Sequence, residues 1–390
     1  MNYNSAKILS NIVAFCFFTN LILFTLLAQE IQARTLLSLT NTFFAFFIIL
    51  TKLGSDKLSM HKGFSLSSIF LTLLVLHLFI TIILLFFRPS LFYASIVHGS
   101  APFLVYFASI IIFKNYTLNF EKSLRFVFFL SIPLIVLVYI NSGRLDLYNL
   151  SSTRVSNISN IAAMFLLLSL VFRTSVTIRL CQIILIVIII LGLKRSGLLF
   201  LFGVAVVFSL SIESRRKVLF LFLLLAPAIL YLTEDYMKYF LVVFELMQER
   251  IIAIGDGGSG RTTIWSGLLS YFIVQDIPFK LIGNGYGFFG SNINPAFASA
   301  HNDFLELMIS YGIIGSVLYL LLLMRLVYIT SAFYSLANSK YFRLSGAVLA
   351  AFVIYGAVAG IFYFYMYFSF IFVLMAYLET KLALNLPNAQ

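Results

Sequence analysis

One basic pair in this sequence occupies a setting in which charge is costly. Lys194 and Arg195 are adjacent in LGLKRSGLLF, between two strongly apolar stretches, and no Asp or Glu occurs between Asp146 and Glu213. A cation at membrane depth costs about 2.5–3.5 kcal/mol on insertion scales and by default marks a functional site. The planar guanidinium of Arg195 is suited to phosphate oxygens. The alternative is that both side chains only extend to the membrane surface.

A second basic residue, Arg261, ends the glycine-rich stretch GDGGSGR at 255–261. Glycines let the backbone approach an anion, and the N-terminus of a following helix adds a favourable dipole. The residues after it, 262–278, predict a short amphipathic helix on the membrane surface, with Trp265 at the level of the headgroups. Ile264, Leu268, Tyr271 and Phe272 would share one face of that helix.

His301 lies in SAHNDFLELMISYGIIG, beside Asn302, Asp303 and Glu306, where a polar segment enters an apolar one. An imidazole in that place suits removal of a proton from a hydroxyl near neutral pH. A helix cap built from Asn302 or Asp303, with Glu306 in the first turn, explains the carboxylates without catalysis. We favour catalysis for His301 and the structural role for the two carboxylates.

Arg154 is a further candidate, in the polar segment SGRLDLYNLSSTRVSN, and Asn157 and Asn160 follow it. By itself this arginine is ordinary, because arginines are common in polar loops.

The elements that must position these residues are membrane helices. Of the 390 residues, 62% are hydrophobic and 10% are charged, too few charges for a soluble globular surface. Continuous apolar runs, not alternating ones, favour helices over a barrel. We predict an all-α polytopic membrane protein, a single membrane domain over 1–390. Its twelve helices are predicted at about 8–28, 36–51, 66–87, 91–113, 123–141, 158–173, 177–193, 196–212, 217–233, 303–328, 344–361 and 363–380.

The distribution of charge predicts the orientation of these helices. With the N-terminus in the cytoplasm, the cytoplasmic segments carry the whole net charge of +12 and the outer segments are neutral overall. This is the positive-inside rule, so the basic composition requires no nucleic-acid partner. Both termini are then cytoplasmic. A shorter loop at 142–157 and a large loop at 234–302 are periplasmic.

Several common sites have no counterpart in the sequence. There is no G-x-x-x-x-G-K-[ST] phosphate loop, no H-E-x-x-H and no paired-cysteine pattern, and Cys16 and Cys181 both lie in apolar runs. We therefore expect no metal and no cofactor. If the protein is an enzyme, the free energy for its reaction comes from the substrate and not from ATP.

The order of these motifs resembles the O-antigen ligase and O-antigen polymerase superfamily. The matching residues are R-x-x-x-W from Arg261 to Trp265, L-I-G-x-G at 281–285, and A-H-N-D-F-L-E followed by Y-G-I-I-G within 300–315. KRSG resembles the family's short basic motif, and TRVSNISN resembles its arginine-to-asparagine segment without the usual glycine and proline.

The resemblance implies a metal-independent glycosyltransferase of the bacterial inner membrane. Such enzymes move glycans from undecaprenyl diphosphate to an acceptor at the periplasmic face. By analogy, Arg195 and Arg261 would stabilise the diphosphate and His301 would act as base. Arg154, Lys194, Asn302 and Trp265 would contact substrate. Partners are then the lipid-linked glycan, the bilayer and, as a candidate, a chain-length regulator.

The resemblance leaves the acceptor open. A polymerase adds the glycan to another lipid-linked repeat unit, and a ligase adds it to the lipid A core. The histidine motif favours a polymerase. A flippase of the same lipid-linked sugar is a weaker alternative, because it predicts charges near the midplane and internal repeats, which the sequence lacks. A structural scaffold would not need the Lys194–Arg195 pair.

Overall fold

The apolar sequence forms helices throughout the residues that the computed structural model describes. These are 3–26, 31–53, 65–115, 120–141, 153–172, 174–192, 194–210, 261–293 and 300–385, and no β-strand occurs within them. A helix satisfies its backbone groups within one segment, which lipid requires. The predicted all-α class is confirmed.

Fourteen α-helices lie within those ranges. They are α1 (Tyr3–Leu26), α2 (Ile31–Leu53), α3 (Leu66–Phe87), α4 (Pro89–Ala94), α5 (Ala101–Asn115), α6 (Phe120–Asn141), α7 (Thr153–Ser169), α8 (Val176–Leu191), α9 (Arg195–Leu210), α10 (Arg261–Val274), α11 (Ile277–Ile282), α12 (Asp303–Ser335), α13 (Ser339–Val358) and α14 (Tyr365–Asn385). Two π-helical turns occupy Ser95–Gly99 and Phe289–Ile293.

Four of the described helical segments are long and apolar enough to cross a membrane, and they lie in α3, α12, α13 and α14. Most of the other described helices are shorter apolar segments. The protein is therefore a multi-pass membrane protein. The number of twelve spans, the loop boundaries and the side on which the termini lie stay predictions.

The helices divide into lipid-facing and central ones. On α3, Phe79, Ile82 and Phe86 are exposed, whereas Leu73 and Ile80 on the opposite face are buried. Helix α14 is buried on nearly all sides, as expected of a helix that is apolar all round. It packs against α5 and α7. The core of the protein thus lies around α14.

Two predicted segments differ from the structure. The helix predicted at 91–113 is broken into α4, the π-helical turn and α5. At this break Gly99 packs so closely that a Cβ would meet the ring of His77. The last five residues of the predicted loop 142–157 are helical, because α7 begins at Thr153. The predicted helix at 217–233 and the first part of the large loop, 234–260, lie outside the described residues.

Helix α12 is interrupted at Gly312, which has φ 67° and ψ −162°. At the break the carbonyls of Ile309 and Ser310 accept the N–H groups of Asn284 and Gly285, at 2.8 and 2.9 Å. The L-I-G-x-G and Y-G-I-I-G motifs therefore form one unit. In a membrane such pairing matters, because backbone groups at a helix break need partners from the protein.

Gly283 and Gly312 permit this contact. Both have positive φ, and a Cβ on Gly312 would overlap the carbonyl of Leu281, while a Cβ on Gly283 would overlap the backbone of Ser310. Only glycine combines that conformation with so close an approach of two backbones.

Candidate functional site

His301 lies two residues before α12, at one end of the helix bundle. Its imidazole is partly buried and stacks on the ring of Phe364, with 5.4 Å between the ring centroids and 21° between the planes. Its φ is +52°, a left-handed conformation that is uncommon for residues other than glycine and often found at functional sites. We call this end of the bundle the His301 end.

The residue before it, Ala300, is held from two sides. The Oε2 atom of Glu306 accepts the Ala300 N–H at 2.8 Å, and the Trp265 indole N–H donates to the Ala300 carbonyl at 3.0 Å. Glu306 is 3% exposed and Ala300 is fully buried. The position of His301 is therefore fixed by a carboxylate of α12 and an indole of α10.

Asp303, two residues after His301, joins the start of α12 to the connection between α13 and α14. Its carboxylate oxygens accept the backbone N–H groups of Ile361 and Phe362, at 2.9 and 3.0 Å, in the connection between α13 and α14. That connection also carries Phe364, the stacking partner of His301. A buried carboxylate thus ties the segment of His301 to the segment that carries its stacking partner.

Asn302 caps α12, since its side-chain oxygen accepts the Leu305 N–H at 3.1 Å and its amide donates to the Ala357 carbonyl at 3.3 Å. The predicted cap is present at Asn302. Asp303 and Glu306 accept backbone N–H groups, which agrees with the structural role predicted for them. The polar groups of Asn302 and Trp265 contact protein backbone. Their contact with substrate stays a prediction.

A second polar cluster surrounds Lys194. The Lys194 ammonium donates to Asn157 Oδ1 at 3.1 Å, and the Asn157 amide donates to the hydroxyl of Tyr367 at 3.2 Å. The N–H of Tyr367 donates to the carbonyl of Phe364 at 2.9 Å. A series of contacts through Asn157, Tyr367 and Phe364 therefore links Lys194 to His301.

The N-terminal ends of five helices meet here. Ser196, in the first turn of α9, donates to Asn160 in the second turn of α7 at 3.3 Å, and Tyr367 lies in the first turn of α14. Trp265 and Ala300 bring the starts of α10 and α12 to the same end. Helix N-termini carry partial positive charge and exposed N–H groups, so this end favours an anion.

The predicted arginines all lie in the first turn of such a helix. Arg195 begins α9, Arg261 begins α10 and Arg154 is the second residue of α7. Their side chains lie outside the described residues. The backbone places all three at the His301 end, so the structure brings together the segments that the sequence singled out.

The predicted amphipathic face of α10 packs into the protein. Ile264 and Leu268 are buried, and Tyr271 and Phe272 pack against the core. Apolar residues on the other side of the helix, Ile273 and Val274 among them, are exposed. The apolar surface available to lipid is thus not the one that the sequence pattern indicated.

Several aromatic residues of this end were not identified from the sequence. The rings of Tyr286 and Tyr363 stack with 5.3 Å between centroids, and the Tyr286 hydroxyl donates to the Tyr363 carbonyl at 3.2 Å. Burial raises the pKa of Tyr286 well above its usual value, so the hydroxyl stays a donor. Tyr363 and Phe364 were predicted as membrane helix; Gly360, with φ +81°, is the signal that a turn precedes them.

Within the described ranges, no group of three His, Cys, Asp or Glu side chains could hold a metal ion.

Comparison with known families gives one match. The family described as O-Antigen ligase matches residues 180–320, a segment that includes Lys194, Arg195, Arg261 and His301 and extends past the break in α12. A comparison with curated proteins finds no match.

Proposed function

We propose that this chain transfers a glycan from undecaprenyl diphosphate to an acceptor hydroxyl. The match of residues 180–320 to the family described as O-Antigen ligase supports this proposal. The reaction occurs at the periplasmic face of the bacterial inner membrane. The acceptor is a second lipid-linked repeat unit, so the product is a longer O-antigen or capsular chain.

The observation that carries this proposal is the way His301 is held. Ala300, directly before it, and Asp303, two residues after it, take part in four hydrogen bonds, while the imidazole remains partly exposed at the end of the bundle. A general base must be positioned within hydrogen-bond reach of the proton that it removes. Rigid support of the residues on both sides of a reactive ring supplies that positioning.

The proposed reaction is a single displacement at the anomeric carbon. His301 takes the proton of the acceptor hydroxyl as its oxygen bonds to that carbon. The bond from the carbon to the diphosphate oxygen breaks, and undecaprenyl diphosphate leaves with the electron pair. Arg195 and Arg261, at the N-termini of α9 and α10, stabilise the negative charge of the leaving group. Arg154 binds diphosphate or glycan.

Ligation to the lipid A core is the second candidate, because the matching family is described as O-Antigen ligase. We favour polymerisation because of the A-H-N-D-F-L-E and Y-G-I-I-G residues. A deletion strain separates the two. Loss of a polymerase leaves one repeat unit on the core, and loss of a ligase leaves core without O-antigen.

The direct test is elongation of undecaprenyl-diphosphate-linked repeats by the purified protein in lipid nanodiscs, with and without EDTA. We expect elongation in both conditions and a loss of at least a hundredfold in His301→Ala. Thermal unfolding and size-exclusion profiles of the variant control for folding. Full activity of a folded His301→Ala protein would exclude the proposed base.

A further inference from the structure

Arg88 lies at the break between α3 and α4, in the sequence FFRPS. Its backbone N–H donates to the Leu84 carbonyl at 2.8 Å and closes α3. Pro89 follows and cannot continue the hydrogen bonds of α3, so the helix ends at this point. Arg88 is therefore the C-terminal cap of a helix long enough to span the membrane.

The guanidinium of Arg88 lies over the ring of Phe288, with 4.4 Å from Cζ to the ring centroid. Such stacking uses the face of the guanidinium and leaves its N–H donors, which lie in the plane, available to an acceptor. The Nη1 atom is buried and has no hydrogen-bond partner. The ion pair between Arg325 and Glu379 does not involve Arg88.

A buried donor of a charged group is costly when it lacks a partner. Among the described residues, no carboxylate provides such a partner for Nη1 of Arg88. The arrangement is therefore suited to binding an anion.

Arg88 lies at the His301 end, at about the same height along the helix bundle as Asp303. Helices α3 and α12 are joined by His77 Nδ1 and the Tyr311 hydroxyl, 2.9 Å apart. Arg88 follows His77 by eleven residues, or ~16 Å of helix, and Asp303 precedes Tyr311 by eight residues, or ~12 Å, at 1.5 Å per residue. The two helices run in opposite directions, because Ser67, near the start of α3, bonds to the hydroxyl of Tyr106, and Tyr106 lies within electrostatic range of Arg325 in the later part of α12.

Aromatic contacts continue from Arg88 toward His301. Phe288 belongs to the same loop as Tyr286, which stacks on Tyr363. Tyr363 contacts Phe364, with 5.1 Å between ring centroids, and Phe364 stacks on His301. The loop that supports Arg88 is thus packed against the connection that supports the candidate base.

The neighbours of Arg88 indicate the kind of anion. Phe86 and Phe87, directly before it, are 75% and 78% exposed, as expected of side chains that face lipid. An acyl or prenyl chain can lie along these rings while its headgroup meets the guanidinium, which is suited to phosphate oxygens. A phosphate carried on a lipid satisfies both features.

We propose that Arg88 binds the diphosphate of the lipid-linked donor, in addition to the arginines of α7, α9 and α10. This inference rests on the proposed function, because it assigns one more residue to the same substrate.

The test measures binding of labelled undecaprenyl diphosphate to the purified protein in phosphatidylcholine nanodiscs. Arg88→Ala should bind about tenfold more weakly or worse, since hydrogen bonds to charged groups are among the strong ones. Arg88→Lys should be intermediate, because it keeps the charge but loses the planar fork. Arg88→Gln keeps much of the contact with Phe288 and provides a second variant if the alanine variant does not fold.

Arg125 is the matched control, because its guanidinium also lies over a phenylalanine ring, that of Phe129, with 5.6 Å from Cζ to the centroid. It donates to Ser175, the cap of α8, at 3.4 Å. The opposite end of α8 adjoins α9, ~24 Å away along sixteen residues. Arg125 is therefore remote from the His301 end, and Arg125→Ala should bind the lipid like the unmodified protein.

The outcomes separate the two ideas. If the unmodified protein elongates glycan and folded Arg88→Gln binds the lipid diphosphate equally well, the inference about Arg88 is wrong and the proposed function stands. If the unmodified protein does not bind the lipid diphosphate, both are wrong. If phosphatidylglycerol competes with the lipid diphosphate only when Arg88 is present, Arg88 is a site for bulk lipid headgroups and the assignment to the donor is overturned.

Discussion

Glu306, one turn into α12, accepts the backbone N–H of Ala300 at 2.8 Å, so a buried carboxylate holds the residue that precedes His301. Sequence reasoning assigned this carboxylate a structural role in the first turn of the helix. In the structure, the Glu306 carboxylate holds the residue directly before the candidate base.

Glu306→Ala leaves the Ala300 N–H buried without its acceptor, and we expect a loss of about 1–3 kcal/mol of stability. Because His301 is then less well positioned, turnover should fall about tenfold to a hundredfold with a smaller change in KM. Glu306→Gln retains an acceptor oxygen and should recover part of the turnover. Thermal unfolding and elongation kinetics measure these effects.

Glu379→Gln is the control for this prediction. Glu379 pairs with Arg325 at 3.2 Å, and Arg325 lies 22 residues after Asp303 along α12, far from the His301 end. Loss of this pair should reduce stability and leave the turnover of the folded protein unchanged. Unaltered turnover in folded Glu306→Ala would show that the bond to Ala300 does not position His301.

Trp265→Phe tests the second support of Ala300. The substitution keeps an aromatic ring but removes the indole N–H that donates to the Ala300 carbonyl. We expect a loss of about 0.5–1.5 kcal/mol of stability and a reduction in kcat of several-fold. Tyr271→Phe, on the same helix, removes a hydroxyl that does not contact Ala300 and should retain full kcat. Equal kcat in both variants contradicts a positioning role for Trp265.

Three glycine substitutions separate conformation from steric overlap. In Gly312→Ala, the alanine must adopt a positive φ and its Cβ overlaps the Leu281 carbonyl. In Gly287→Ala, the alanine must adopt a φ of +77°, but its Cβ has open space around it. Gly267→Ala lies within α10 with open space and an ordinary φ. Melting temperatures should rank Gly267→Ala highest, since alanine favours helix by about 1 kcal/mol over glycine, then Gly287→Ala, then Gly312→Ala. A Gly312→Ala protein as stable as Gly287→Ala would mean that the contact with 281–285 is dispensable.

Asn157 is the link between Lys194 and Tyr367, and its removal should affect both partners. Asn157→Ala loses two hydrogen bonds and Tyr367→Phe loses one, so we expect stability losses of about 1–3 and about 0.5–1.5 kcal/mol. The double variant should be less destabilised than the sum of the two. Turnover should fall in Asn157→Ala because Lys194 loses its position.

The control is Asn20→Ala, which removes an amide pair with Asn41 between α1 and α2. It should reduce stability without affecting turnover. Strict additivity of Asn157→Ala and Tyr367→Phe would contradict the linked arrangement.

Much of this fold could be predicted from the sequence, because continuous apolar runs identify membrane helices by length alone. The bounds predicted for 66–87 match α3. The breaks could not be predicted in the same way. Gly99 and Gly312 lie in apolar segments that read as uninterrupted, and the need for glycine arises from close approaches to His77 and to the Leu281 carbonyl, which are distant in sequence.

The candidate site shows a similar division. The polar residues His301, Lys194 and Asn302 stand out because polar groups are rare in this composition. Phe364 and Tyr367 do not, since aromatic residues make up 17% of the chain and are concentrated in the helices. Their role depends on the turn between α13 and α14 that places them beside His301 and Asn157.

The break at Gly312 also has a consequence for insertion of the growing chain into the membrane. The carbonyls of Ile309 and Ser310 need the N–H groups of Asn284 and Gly285, and these donors are synthesised earlier than the helix that uses them. Nascent α12 thus reaches the bilayer with its complement already translated. If the chain were divided between 261–293 and α12 and its two pieces expressed separately, the second piece would enter lipid with unpaired acceptors, which is energetically unfavourable.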